Sequence, residues 1–179
     1  MLARRDLSCL LLLVSIVRPA RAADAVVQTA RDGLPLAQAA ADAWADDARL
    51  VWVENDAALD AEGRAAAWGY LYFSPEKHAL RSYAVRDHAL TAAQDHAVAT
   101  EAPAVDAGWE DSVEAARAAW KDAVPELGAG QATLESLLLV RGVFAPGSAW
   151  VAIFAGSQGP RLYLVLDALE GQVLKRWRG

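Results

Sequence analysis

The sequence predicts an α+β fold: two tandem helix–β–β–β repeats, with the helices packed on antiparallel sheet. Three observations carry this expectation. Two alanine-rich segments with helical spacing each end in Ala-Trp, Leu36–Trp44 and Ser112–Trp120. Each is followed by an apolar segment that contains a tryptophan, Ala67–Phe73 in one half and Ala149–Phe154 in the other. Each half then carries a Tyr-to-Asp segment, Ser82–Asp87 and Leu162–Asp167. Alanine bias could imitate the first match, but not three matches in one order.

The first helix is expected to start near Asp32 and Pro35. Aspartate is a favoured N-cap, and proline fits the first turn, where its missing N–H has no helical partner. Leu36, Ala40 and Trp44 then share a face. The second helix opens with Asp111-Ser112-Val113-Glu114, a variant capping box. Val113, Ala116 and Trp120 form its stripe, and Pro125 is expected to end it. In the first half, strands are expected at Leu50–Glu54, Ala67–Phe73 and Arg81–His88, with a turn at Ser74–Lys77. In the second half they are expected at Leu134–Phe144, Trp150–Phe154 and Arg161–Leu166, followed by a hairpin through Asp167–Gly171. The runs Leu137–Val140 and Leu162–Leu166 are apolar on both sides, which is the pattern of strands covered on both faces. The stretch from about Thr91 to Gly108, with its alanines, Pro103 and alternating acidic residues, reads as a linker.

Met1–Ala22 reads as an export signal: basic Arg4-Arg5, apolar Leu7–Val17 and Ala20-Arg21-Ala22 as the cleavage site. It suits the Sec route, with the twin-arginine route as the alternative. The expected divisions are the signal at 1–22, a first repeat at 23–99, a linker at 100–110 and a second repeat at 111–179. The expected location is the periplasm or the secreted medium.

The charge balance is 17 basic against 23 acidic groups, −6 overall. Without the leader it is 13 against 22, or −9, which argues against a nucleic-acid partner. No apolar run reaches about 20 residues, so no integral membrane segment is expected. The single cysteine, Cys9, lies in the leader, which leaves no disulfide or thiolate chemistry in the remainder.

The closing segment Tyr163-Leu164-Val165-Leu166-Asp167-Ala168-Leu169-Glu170-Gly171-Gln172-Val173 resembles that of the PepSY domain. That family typically ends in an apolar strand, Asp-Ala, two residues, Gly and a further valine. The resemblance covers Asp111 to Arg178 best, with the first half as a weaker copy. It implies an extracytoplasmic binding module, with family members associated with inhibition or regulation of peptidases. It carries over no catalytic residues.

The residues themselves suggest little chemistry. Asp87-His88 and Asp95-His96, with His78 nearby, contain zinc-ligand types. Their spacing matches no zinc motif, and surface histidines beside solvated acids account for them. Gly-x-Ser-x-Gly and both glycine-rich phosphate motifs are absent. The expectation is therefore a non-enzymatic protein-binding module with no cofactor and no metal. Its partner would be a protein, with a peptidase the class implied by the resemblance; a second copy of the chain is also open. The alternatives are a carrier of small apolar ligands, with a cavity between sheet and helix, and a hydrolase whose serine and histidine meet only in space. The binding candidates are aromatic: Trp52, Tyr72, Tyr83, Trp109, Trp150, Tyr163 and Trp177. Of the seven tryptophans, Trp44, Trp68, Trp120 and Trp150 match between the halves and read first as core. Trp52, Trp109 and Trp177 have no counterpart and read as interface candidates. The basic tail Lys175-Arg176-Trp177-Arg178 can meet anionic lipid, an acidic partner or the protein's own acidic surface.

Overall fold

A computed structural model of the chain describes residues 26–97, 101–128, 130–157 and 159–179. The export signal expected at 1–22 lies outside the described residues. The elements are α1 (Leu34–Trp44), β1 (Arg49–Asn55), β2 (Ala67–Ser74), β3 (Ala79–Arg86), β4 (Ala89–Ala97), α2 (Ser112–Leu127), β5 (Ala132–Arg141), β6 (Ser148–Gly156), β7 (Leu162–Asp167) and β8 (Val173–Arg178). The expected pair of helix–β–β–β repeats does not form. Among the described residues, eight strands join in one antiparallel sheet, ordered β4-β3-β2-β1-β5-β6-β7-β8, with two helices beside it. The fourth strand of the first half, β4, occupies the beginning of the stretch that the sequence suggests as a connection. Its sequence, ALTAAQDHA, has no apolar alternation. It forms because a two-residue turn at Asp87-His88, with positive φ at both, folds it back onto β3.

The two halves meet at β1–β5, where only three residue pairs align: Trp52↔Val140, Val53↔Leu139 and Glu54↔Leu138. Each end of this seam is extended by other groups. Asn55 reaches across with its side chain: Oδ1 accepts from Leu137 N–H at 2.8 Å and Nδ2 donates to the Glu135 carbonyl at 3.3 Å. At the other end Val105 N–H donates to the Leu50 carbonyl at 2.8 Å. Asp106 fixes the same connection to β6. It accepts from Ser148 N–H at 3.0 Å and Ser148 Oγ at 2.9 Å, and pairs with Arg141 at 2.9 Å.

Both helices cover one face. One buried cluster joins Ala37 and Ala41 of α1, Ala115, Ala116, Ala119 and Ala123 of α2, and the inward residues of the sheet. In α1 the buried stripe is Ala37/Ala41, while Leu36 is 40% exposed. This corrects the expected Leu36/Ala40/Trp44 stripe, although Ala40 and Trp44 still pack partly against the core. The reason is volume: the sheet beneath α1 presents bulky Tyr70, Tyr72 and Tyr83, and alanines let the helix sit close to them. The cap differs too, since Gly33 holds that position and Asp32 instead accepts from Thr29 N–H at 2.8 Å. Asp111 does cap α2, accepting from Ser112 N–H. Pro125 does not stop α2, which continues to Leu127. A proline in the last turn forfeits one N–H bond without breaking the turns before it.

Candidate functional site

Four of the seven aromatic candidates are core. Tyr72 and Tyr83 are 0% and 3% exposed, and Trp109 and Trp150 are 4% and 1%. The tyrosines fasten α1 to the sheet. Tyr72 Oη donates to Gln38 Oε1 at 3.2 Å and Tyr83 Oη donates to the Ala40 carbonyl at 3.0 Å. Tyr70, which sequence reasoning did not single out, donates to the Ala30 carbonyl at 2.7 Å. Burial pushes all three phenols above their ordinary range, so they stay protonated donors. Trp150 stands edge-on to Trp68 at 6.4 Å and to Trp109 at 5.7 Å. Its indole N–H holds the Glu110 carbonyl at 2.8 Å, and that of Trp68 holds the Gln28 carbonyl at 2.9 Å, both 40 residues upstream. Trp109 lies beneath the Arg31 guanidinium, 4.2 Å from its centroid, and its carbonyl accepts from the same group. It locks the N-terminal segment to the start of α2. The space between sheet and helices, where an apolar ligand would sit, is filled by Trp68, Trp150, Phe154, Leu137 and Leu139.

The remaining three candidates, Trp52, Tyr163 and Trp177, lie on the sheet face that no helix covers. The register brings them into one band. Leu71 lies opposite Trp52, Trp52 opposite Val140, Ile153 opposite Tyr163, and Tyr163 opposite Trp177. Leu138, opposite Glu54 and Val151, lies in the row of pairs between that of Trp52 and that of Ile153. Trp52, Leu71, Leu138, Ile153 and Tyr163 are half-buried, and Trp177 is 38% exposed. The band is firm at its β8 end. Tyr163 and Trp177 stack with centroids 5.0 Å apart and planes at 5°, and Phe144 stacks on Trp177 at 6.0 Å. Phe144 comes from the β5–β6 loop, which folds over Ala149, Val151 and Val165. Sequence reasoning placed Phe144 at a strand end. In the structure it leaves the strand and covers a second, smaller core.

One carboxylate interrupts the band. Glu54 lies between Gly69 and Leu138 on neighbouring strands, and Gly69 offers no Cβ to separate it from β2. Loss of water raises its pKa; the Trp52 indole opposes this and Asp56 adds to it. Desolvation raises Asp56 as well, against the pull of Arg86. Further toward the β4 edge, Ser82 Oγ and His96 Nε2 are 2.8 Å apart. This serine–histidine pair sits on open sheet. His78 and His88 occupy turns at opposite ends of β3, so the three histidines do not share one centre. Among the described residues, no cluster of three or more His, Cys, Asp or Glu converges as a metal site.

The basic tail meets the protein's own acids. Arg176 pairs with Asp122 and Glu126 at 3.0 Å each, and Arg178 with Glu126 at 3.5 Å. An open polar cleft at the end of α1, lined by Trp44, Asp46, Asp47, Glu76 and Lys77, is organised by Asp47. Its carboxylate accepts from Ser74 Oγ and Glu76 N–H, and these bonds hold it below the usual carboxylate range. They also fix the β2–β3 turn, which accounts for the cluster structurally. Among the described residues, no helix is long and apolar enough to cross a membrane. Models of known families, curated proteins and solved structures, each searched with this chain, return no match.

Proposed function

We propose that the chain is an exported, non-enzymatic protein-binding module whose docking surface is the helix-free sheet face. One observation supports this above the others: the helix-free band of half-buried Leu71, Trp52, Leu138, Ile153 and Tyr163 with exposed Trp177. An apolar and aromatic patch held on rigid strands is the kind of surface that gains free energy by being covered. The mechanism is occlusion, in which the partner buries the band and is sterically blocked by the sheet behind it. The resemblance of Tyr163–Val173 to the PepSY closing segment makes a peptidase of the envelope or medium the first partner to test.

The test is capture of envelope and secreted proteins on the immobilised chain, with peptidase activity measured before and after adding free chain. Ile153→Lys places a charge inside the band. Leu36→Lys, on the exposed side of α1, is the control. The proposal expects one stoichiometric partner that Ile153→Lys loses and Leu36→Lys keeps. Equal retention by both variants, or no specific retention, removes it.

A further inference from the structure

β4 is one of the two edges of the sheet. Its residues Ala89–Ala97 are exposed along the strand, apart from a half-buried His96. It contains no lysine, arginine or proline, though it carries a bulge at Thr91 and the charge of Asp95. β8, at the other edge, carries Lys175, Arg176 and Arg178. The outer row of N–H and C=O groups on β4 is a template for another strand.

The register decides which strand fits. β4 pairs with β3 as Arg86↔Ala89 and Val85↔Leu90, then skips Thr91 and resumes at Ala84↔Ala92. This bulge reverses the alternation of faces. Leu90 lies on the helix side, opposite buried Val85, and Ala89 on the helix-free side. Beyond the bulge, Ala93 and Asp95 are on the helix side, while Ala92, Gln94 and His96 are on the helix-free side. An uninterrupted strand from another protein matches the faces on one side of Thr91 and is out of phase on the other. A second β4 carries the same bulge.

Two antiparallel copies related by a two-fold axis must set residues of the same face opposite each other. With Thr91 against Ala92 at the axis, Leu90 meets Ala93 and Ala89 meets Gln94, each on matching faces. The paired register ends there, because beyond Ala89 the chain turns back onto β3 through Asp87-His88.

We propose that β4 is a self-association edge, at which two copies of this chain join by antiparallel β4–β4 pairing centred on the Thr91 bulge. The partner is a second copy because the bulge, and the change of face it produces, is complementary to itself. This edge is separate from the helix-free face, so it does not rest on the proposed docking function.

Light scattering after size exclusion and sedimentation equilibrium read the association state. The full chain is expected to dimerise with concentration. Ala93→Pro is expected to be monomeric at the same concentrations with unchanged circular dichroism. Thr91 Oγ1 bonds the Ala84 carbonyl, which therefore points toward β4; its partner Ala92 turns inward and Ala93 outward, so the proline costs no bond to β3. Cysteine pairing tests the register independently, in a Cys9→Ser background. Ala89→Cys and Gln94→Cys chains, mixed and oxidised, are expected to give at least ~10-fold more disulfide dimer than either alone. Opposed residues in a non-hydrogen-bonded pair lie about 4.5 Å apart at Cα, within disulfide reach. A monomer at all concentrations, a dimer that persists in folded Ala93→Pro, or equal cross-linking in every mixture would overturn the proposal. If Ala93→Pro does not fold, the cysteine mixtures alone decide.

Discussion

Asn55→Ala should damage the seam between the two halves more than its half-buried position suggests. Its side chain makes three bonds to backbone: from Leu137 N–H at 2.8 Å, to the Ala57 carbonyl at 2.9 Å and to the Glu135 carbonyl at 3.3 Å. The first two should each contribute about 1 kcal/mol net; the third is longer and more exposed, and contributes less. For the first bond, truncation leaves the N–H of Leu137, a fully buried residue, without its acceptor, so about 1–3 kcal/mol replaces the net figure there. The expected loss is about 2–4 kcal/mol. At roughly 2–4 °C per kcal/mol for a chain of this size, the melting temperature should fall by roughly 5–15 °C. Urea denaturation followed by tryptophan fluorescence and far-UV circular dichroism measures this. Trp68 and Trp150 lie in the shared core and report on both halves. Asn55→Asp keeps an acceptor for Leu137 N–H and loses both donors, so it should lose about half as much. A loss under about 1 kcal/mol for Asn55→Ala, or equal losses for the two variants, would refute the claim that Asn55 extends the three-pair seam.

Four further outcomes follow from the packing and electrostatics. Gly63→Ala should cost about 2–4 kcal/mol in urea unfolding, because φ is +80° and a Cβ would lie 2.5 Å from Ala116 Cβ and 2.6 Å from the Ser112 carbonyl oxygen. Tyr70→Phe should cost about 1–2 kcal/mol by the same assay, since it strands the buried Ala30 carbonyl without replacing any apolar contact. Glu54 has a folded-state pKa raised above 4.5, so its contribution favours folding below about pH 4 and is lost as pH rises through the folded value. Glu54→Gln should therefore stabilise the protein at pH 7, with the advantage disappearing in melts near pH 4. Asp106 has the opposite sign: bonds from Ser148 and the charge of Arg141 lower its pKa below 3.8, so its contribution holds above about pH 4 and is lost as pH falls through the folded value. Asp106→Asn should destabilise at pH 7 and flatten the acid limb of the stability profile, read from melting temperatures across pH 2–7.

Local chemistry carried a large part of this protein into its sequence. Asp111 as a cap, the strand patterns around Trp68, Trp150 and Leu162–Leu166, and the pairing of Trp68 with Trp150 as core residues follow from propensities and side-chain period, which act over a few residues. Among the candidate site residues, the sequence identified the right chemical type without the right side of the sheet. Tyr72 and Tyr83 alternate as a strand should, yet alternation does not say which face a helix will cover. α1 covers theirs and leaves that of Trp52 open. Trp109 and Trp177 both lack a counterpart in the other half, and only the position of Arg31 over one and of β8 at an edge makes the first buried and the second exposed. β4 was illegible for a different reason. A strand at an edge is held by backbone hydrogen bonds to one neighbour, which ask almost nothing of its side chains, so alanine-rich ALTAAQDHA gives no periodic signal. The joining of the halves was hidden in the same way. It depends on three residue pairs and on Asn55, whose side chain looks in sequence like the end of a strand and in the fold spans the gap to the next one. Sequence determined which residues belong in apolar surroundings and where the chain turns. Tertiary structure decided which apolar faces are covered, because burial depends on neighbours far along the chain rather than on the residue itself.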